Sequence, residues 1–227
     1  MSIMRIGTWN LEGKWSDRHA RFMHRQDCDI WLLTEVHVQT KLQGYKLVTT
    51  ESKIPKLPRL EDRHWSAILT ARPLSRQEEP HATTVSAIID GNTYWCSVLP
   101  WRTCGSEPPW AGSTHAEKMA AVLGQLETAR PAGRLVWGGD WNQALVGRDY
   151  AGSNDGRRDL LASIDRLKLQ VPTAGLGHRK PRHASIDHIA IPHEDLATRV
   201  ERLPVEPTLS DHDAYVVDFD PGVPLVE

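Results

Sequence analysis

An α/β protein with two sheets packed face to face and helices outside is the fold that the sequence predicts. Strand-like apolar runs separated by turn residues far outnumber the helical periodicities, of which only two or three stand out. Several of these runs end in short polar motifs, so one rim of a rigid sheet would gather Asn, Glu, Asp and His. No linker composition or internal repeat interrupts the 227 residues, and residues 1–227 read as a single domain.

Ile3 to Trp9 reads as a buried strand. Ser16 and Asp17 offer an N-cap for a short helix to about Gln26, with Phe22 and Met23 inward. Asp29 to Leu33 is a second buried strand, ending at Glu35, and Tyr45 to Thr50 is a third. Residues 51–63, with Pro55 and Pro58, read as a loop. Strands follow at His64 to Thr70 and Thr83 to Ile89, and Asp90-Gly91-Asn92 turns the chain into a strand from Thr93 to Leu99. Pro100 to Ser113 is a long irregular loop. Thr114 and Glu117 have capping-box spacing, and Met119, Ala120, Leu123 and Leu126 keep the helical period behind them. Arg134 to Trp137 is a strand that runs through Gly138 and Gly139 to Asp140, where the glycines would let the backbone turn sharply and admit a ligand. A further helix spans Arg157 to Lys168, with Leu160, Leu161, Ile164 and Leu167 inward. Ile186 to Ile191, Arg199 to Val205 and Ala214 to Phe219 complete the strands.

The formal net charge of −2 excludes a globally basic nucleic-acid binder and leaves room only for a local basic strip. Cys28, Cys96 and Cys104 form no C-x-x-C pair. The first two read as small core residues, and Cys104 as an exposed loop thiol. No signal-peptide segment opens the chain and no apolar run approaches membrane-spanning length, so a reducing, cytoplasmic location without membrane contact is expected.

Five motifs carry chemistry: Trp9-Asn10-Leu11-Glu12, Thr34-Glu35, Gly139-Asp140-Trp141-Asn142, Ser185-Ile186-Asp187-His188 and Ser210-Asp211-His212. Together they describe an oxygen-lined pocket for a hard cation and a phosphate. Mg²⁺ suits such oxygens and needs only one or two carboxylates, with Mn²⁺ as a substitute. Glu35 is the first choice of metal ligand and Asp211 the second. Asn10 and Glu12 share a face on a strand period of two; Glu12 is either an outer metal ligand or a solvated turn residue. Asp140 could orient and deprotonate a water, while Asn142 gives its amide to a phosphate oxygen. Asp187 is the natural partner to keep His212 protonated, and an imidazolium would bind phosphate. Each motif alone is weak and reads better as a surface turn.

Read in order, the motifs resemble the endonuclease/exonuclease/phosphatase superfamily over nearly the whole chain. The resemblance implies a four-layered α/β sandwich of two mainly antiparallel sheets, and a Mg²⁺-dependent phosphoesterase. It also implies that Asn10 supports the site, Glu35 binds metal, Asp140 orients water, Asn142 contacts phosphate, and Asp187 pairs with the His212 of the last motif. Relatives commonly carry a His or Tyr where this chain has Leu99-Pro100-Trp101-Arg102. Arg102 could hold a phosphate there as a fixed cation but cannot donate a proton usefully; a packing Trp and a solvated Arg are the other reading.

The run His178-Arg179-Lys180-Pro181-Arg182-His183 precedes Asp187, so Arg179, Lys180 and Arg182 would form a phosphate funnel at the mouth. Trp15, Trp101 and Trp110 would stack on bases or anchor loops. Histidines at 178, 183, 188 and 193 recur at an interval that suits no zinc site. A monomeric phosphodiesterase or nuclease acting on nucleic acid or a nucleotide is therefore expected. A phosphatase of a small phosphomonoester or phospholipid head group, or a silent phosphate-binding module, are the alternatives.

Overall fold

Three separate apolar clusters divide the molecule into four layers in the computed structural model, which describes residues 3–54 and 62–221. In chain order the described strands are β1 (Met4–Asn10), β2 (Ile30–His37), β3 (Lys46–Thr49), β4 (Arg63–Thr70), β5 (Leu74–Arg76) and β6 (Thr84–Ile89). They continue with β7 (Asn92–Val98), β8 (Leu135–Asp140), β9 (Leu169–Gln170), β10 (Asp187–Pro192), β11 (Leu196–Leu203) and β12 (Ala214–Asp220). The helices are α1 (Asp17–Gln26), α2 (His115–Thr128) and α3 (Asn154–Arg166). One six-stranded sheet runs β11-β12-β1-β2-β4-β3 and the other β5-β6-β7-β8-β10-β9.

Alternation of side chains explains the layering. Ile6, Ile30, Leu32 and Ile68 of the first sheet meet Val85, Ala87, Val136 and Ile189 of the second in the central core. Trp9, Trp31 and Leu33 face the other way and are covered by Phe22 and Met23 of α1. Trp95 and Trp137 face outward from the second sheet beneath Met119, Leu123 and Leu126 of α2 and Leu160 and Ile164 of α3. All of these residues are buried; fully burying such a side chain contributes roughly 1.5–3 kcal/mol.

Each sheet holds one parallel pair, β1 with β2 and β7 with β8, and a helix crosses over within each pair. All other pairings are antiparallel. The carboxyl ends of β1, β2, β7 and β8 therefore share one rim with the amino ends of β4, β10 and β12. That rim carries the polar motifs.

Several expectations need correction. Helix α3 starts at Asn154 because Ser153 caps it, its Oγ accepting from Gly156 N at 3.1 Å, and Leu161 faces solvent at 44% exposure. Strands β5 and β9 were too short to show a period. Part of the expected loop at 51–63 falls on residues 55–61, outside the described residues; Lys53 before it forms a bridge with His64. Cys104 is buried in the cluster beside Trp110, where burial raises its thiol above the ordinary value. Gly138 and Gly139 lie inside β8 and admit no ligand. A Cβ on Gly138 would come within 2.7 Å of Leu32 in the facing sheet, and one on Gly139 (φ 126) would strike the Ser97 carbonyl.

Candidate active site

Strand register brings the first two carboxylates together. Asp140, the last residue of β8, stands directly opposite Asp187, the first residue of β10. Across an antiparallel pair such side chains are near neighbours, and like charges there repel. Both are buried. Burial, and next the Asp187 charge, push the Asp140 carboxyl well above the usual carboxylate range.

One group from the opposite sheet and one from the turn after β8 hold Asp140. Asn10, at the end of β1, donates through Nδ2 to Asp140 Oδ2 at 2.9 Å and to Glu35 Oε1 at 3.2 Å. Its own Oδ1 accepts from Glu12 N at 2.8 Å. Asn142 N donates to Asp140 Oδ1 at 3.0 Å, and Asn142 Nδ2 donates to Leu99 O at 3.0 Å, which leaves its second amide hydrogen available.

His212 completes the group from the turn before β12. Ser210 Oγ donates to the Asn10 carbonyl at 2.6 Å and accepts from His212 N at 3.0 Å, tying this turn to the end of β1. His212 Nδ1 lies 2.8 Å from Asp187 Oδ2. Burial opposes the charged ring, yet the Asp187 contact raises His212 well above its ordinary value. The other Asp187 oxygen, Oδ1, is buried without a hydrogen-bond partner among the described residues. Such an orphan costs about 1–3 kcal/mol and marks a place for a donor or cation. Asp140, Asp187 and His212 each bring a ligand atom within 4.8 Å of the others, so this trio could hold a metal ion. A protonated His212 has no lone pair to give, so only a neutral ring could join such a set.

Glu35 does not end its strand. It lies inside β2 with φ 49, and the strand continues to His37. The left-handed backbone turns its half-buried carboxylate to the rim, where it accepts from Asn10 and pairs with Arg63. Glu12 lies past the end of β1, also left-handed at φ 53, so the period-of-two argument does not reach it. Its carboxylate accepts from Asp211 N at 3.0 Å and pairs with Lys14 at 2.7 Å. The Asp211 side chain is exposed, with one oxygen 3.9 Å from His212 Nε2.

The expected funnel is smaller than its sequence. Arg179 points away from the mouth: its fork grips Asp213 Oδ1 at 2.8 Å and the carbonyls of Val205 and Ser210. Arg102 donates Nε at 2.8 Å and Nη2 to the Gly152 carbonyl. Lys180 and Arg182 are exposed. Trp110 is buried against Trp65 and Trp101 and anchors its loop. His188 is fully buried, with Nε2 3.0 Å from the Gln143 carbonyl, and takes no part in a metal site.

Two residues at the site went unread in the sequence. Arg63 reaches Glu35 through the pairing of β4 with β2, which no spacing reveals. Tyr150 sits in an irregular loop, yet its hydroxyl is 2.9 Å from His178 Nε2 and its ring adjoins His183 and Lys180.

Comparison with known proteins identifies the family and the fold. The profile of the Endonuclease/Exonuclease/phosphatase family matches residues 7–212. No curated protein matched. Among solved structures, the endonuclease domain of TRAS1, a telomere-specific non-LTR retrotransposon, is similar with a TM-score of 0.67 at 14% identity, covering 96% of this chain and 98% of that one. An AP endonuclease from Archaeoglobus fulgidus gives 0.67 at 17% identity, with coverage of 96% and 100%. The 3' phosphatase NExo from Neisseria, bound to a product DNA hairpin, gives 0.68 at 16% identity, with coverage of 96% and 99%.

Proposed function

The chain belongs to the endonuclease/exonuclease/phosphatase family of phosphate-ester hydrolases, and we propose that it is a Mg²⁺-dependent phosphodiesterase acting on nucleic acid or a nucleotide. The observation that carries this reading is the hydrogen-bonded line from Glu35 through Asn10 to Asp140, which crosses from one sheet to the other and runs beside the His212–Asp187 pair.

The residues fit a hard divalent ion. The donors are carboxylate and amide oxygens, the thiols are buried elsewhere, and one buried Asp187 oxygen lacks a hydrogen-bond partner among the described residues. Glu35 would hold the ion, with Asp211 and Glu12 as further oxygen donors. Mg²⁺, or Mn²⁺ in its place, neutralises charge on the non-bridging phosphate oxygens when bound.

Asp140 takes a proton from the attacking water as the new oxygen–phosphorus bond forms in line with the breaking one. Its raised pKa makes it a better proton acceptor than an ordinary carboxylate, and Asn10 and Asn142 fix both its oxygens. His212, kept protonated by Asp187, stabilises negative charge on the phosphate. The free amide hydrogen of Asn142 is a further donor. Lys180 and Arg182 attract the polyanion. Three buried, unpaired cysteines suit a reducing, cytoplasmic compartment, and the working unit is a monomer. No helix among the described residues is long and apolar enough to cross a membrane.

A panel of single-stranded DNA, duplex DNA, RNA, bis-p-nitrophenyl phosphate and simple phosphomonoesters tests the proposal. Diester cleavage in Mg²⁺ that EDTA abolishes is the expected result. Hydrolysis limited to monoesters, or cleavage indifferent to EDTA, would overturn it.

A further inference from the structure

On the hydrolase reading above, we infer that Tyr150, oriented by His178, is a neutral hydrogen-bond donor to the non-bridging phosphate oxygens of the substrate. Such donors are scarce at this rim. Three carboxylates, Asp140, Asp187 and Asp211, gather around His212. The two arginines placed nearby by sequence, Arg102 and Arg179, have their forks closed on protein oxygens.

Tyr150 meets the need by position. Its ring lies 5.2 Å from that of His178, and His178 meets the His212 ring edge-on at 5.9 Å. Lys180 Nζ sits 4.2 Å above the Tyr150 ring and His183 abuts it at 5.0 Å, so the ring is clamped and its hydroxyl is the working end.

The direction of one hydrogen bond decides what that hydroxyl can do. Lys180 N donates to His178 Nδ1 at 2.8 Å, so Nδ1 carries the lone pair. Burial holds His178 neutral, lowering it to about 4, and the single ring proton is then on Nε2. His178 Nε2 therefore donates to the Tyr150 oxygen at 2.9 Å. The phenol hydrogen remains uncommitted, with no acceptor among the described residues. Burial, followed by the charges of Asp140, Asp187 and Asp211, keeps the phenol protonated, so Tyr150 donates and does not act as a base.

The test compares the parent with Tyr150→Phe, His178→Leu and His178→Gln in Mg²⁺, on bis-p-nitrophenyl phosphate and on a dinucleotide diester. Tyr150→Phe is expected to lower kcat/KM roughly 10²-fold on both substrates, mainly through kcat, at an unchanged melting temperature. His178→Leu should lose as much. His178→Gln, whose amide still donates to the phenol oxygen, should recover most of the activity, which marks His178 as a positioning residue. Tyr150→Phe within twofold of the parent would overturn the inference. So would a loss confined to the dinucleotide, which would place the hydroxyl on the leaving oxygen. A parent inactive on both diesters would overturn the hydrolase reading and this inference with it.

Discussion

Asp140 and Asp187 face each other across an antiparallel pair, where like charges destabilise. Asp140 is raised by burial and by that neighbour, so ionising it costs stability once the pH exceeds the ordinary carboxylate value. Asp140→Asn removes the repulsion together with the proposed proton acceptor. It should lower turnover roughly 10²- to 10⁴-fold while melting no lower than the parent in EDTA, by activity assay and calorimetry. A clear fall in melting temperature would make Asp140 a structural residue. Strain collects here as well: Glu12, Glu35 and Asn142 all have left-handed backbone, a conformation that costs roughly 1–2 kcal/mol for most residues. The gathering of Asn10, Glu35, Asp140, Asp187 and His212 at one rim was legible because each closes or opens an apolar run. Arg179 and Cys104 were misread because their surroundings, Asp213 and the core beneath α2, come from distant segments.

Helix α2 was legible to its first residue because Thr114 and Glu117 satisfy both capping-box bonds locally. Helix α3 was not. Its cap, Ser153, follows a glycine and precedes Asn-Asp-Gly, which reads as a turn until His115 Nδ1 is seen 2.7 Å from Ser153 Oγ. The other end of α3 offers a test. Lys168, exposed with φ 59, holds the position after the cap, where glycine is the favoured residue. Lys168→Gly should raise stability by about 0.5–1 kcal/mol, read from urea unfolding with an unchanged m-value. In the 178–183 loop, Lys180 and Arg182 are the exposed cations left after Arg179 turns inward. Replacing both with Ala should weaken single-stranded DNA binding and reduce the slope of log affinity against log salt by about 1–2. An unaltered slope would show that the loop does not meet the phosphates.

The whole molecule is two sheets, each with one helix-crossed parallel pair, and its class was legible because strands so outnumber helices. Buried and half-buried histidines set its response to acid. His19, His64, His81, His115, His178 and His188 are all lowered by burial, the last two to about 4. The unfolded chain protonates them near 6.5, so stability should fall as the pH drops from 6.5 to 4, by roughly 1.4 kcal/mol per unit for each fully buried ring. Asp140, raised to about 7, works in the opposite direction over that whole range, and Glu79, also raised by burial, works with it, but they are two groups against six. Denaturant midpoints at pH 7, 5.5 and 4.5 would show the trend, and a flat profile would contradict it. The Asn10–Asp140 bond joins the two sheets at their rim, while Gly138 brings the Leu32 side chain hard against β8 behind it. The proposed reaction centre is thus also the clasp between the halves of the sandwich. Warming that parts the halves by even an ångström separates Asp140 from its anchor, so turnover should fade several degrees before ellipticity does.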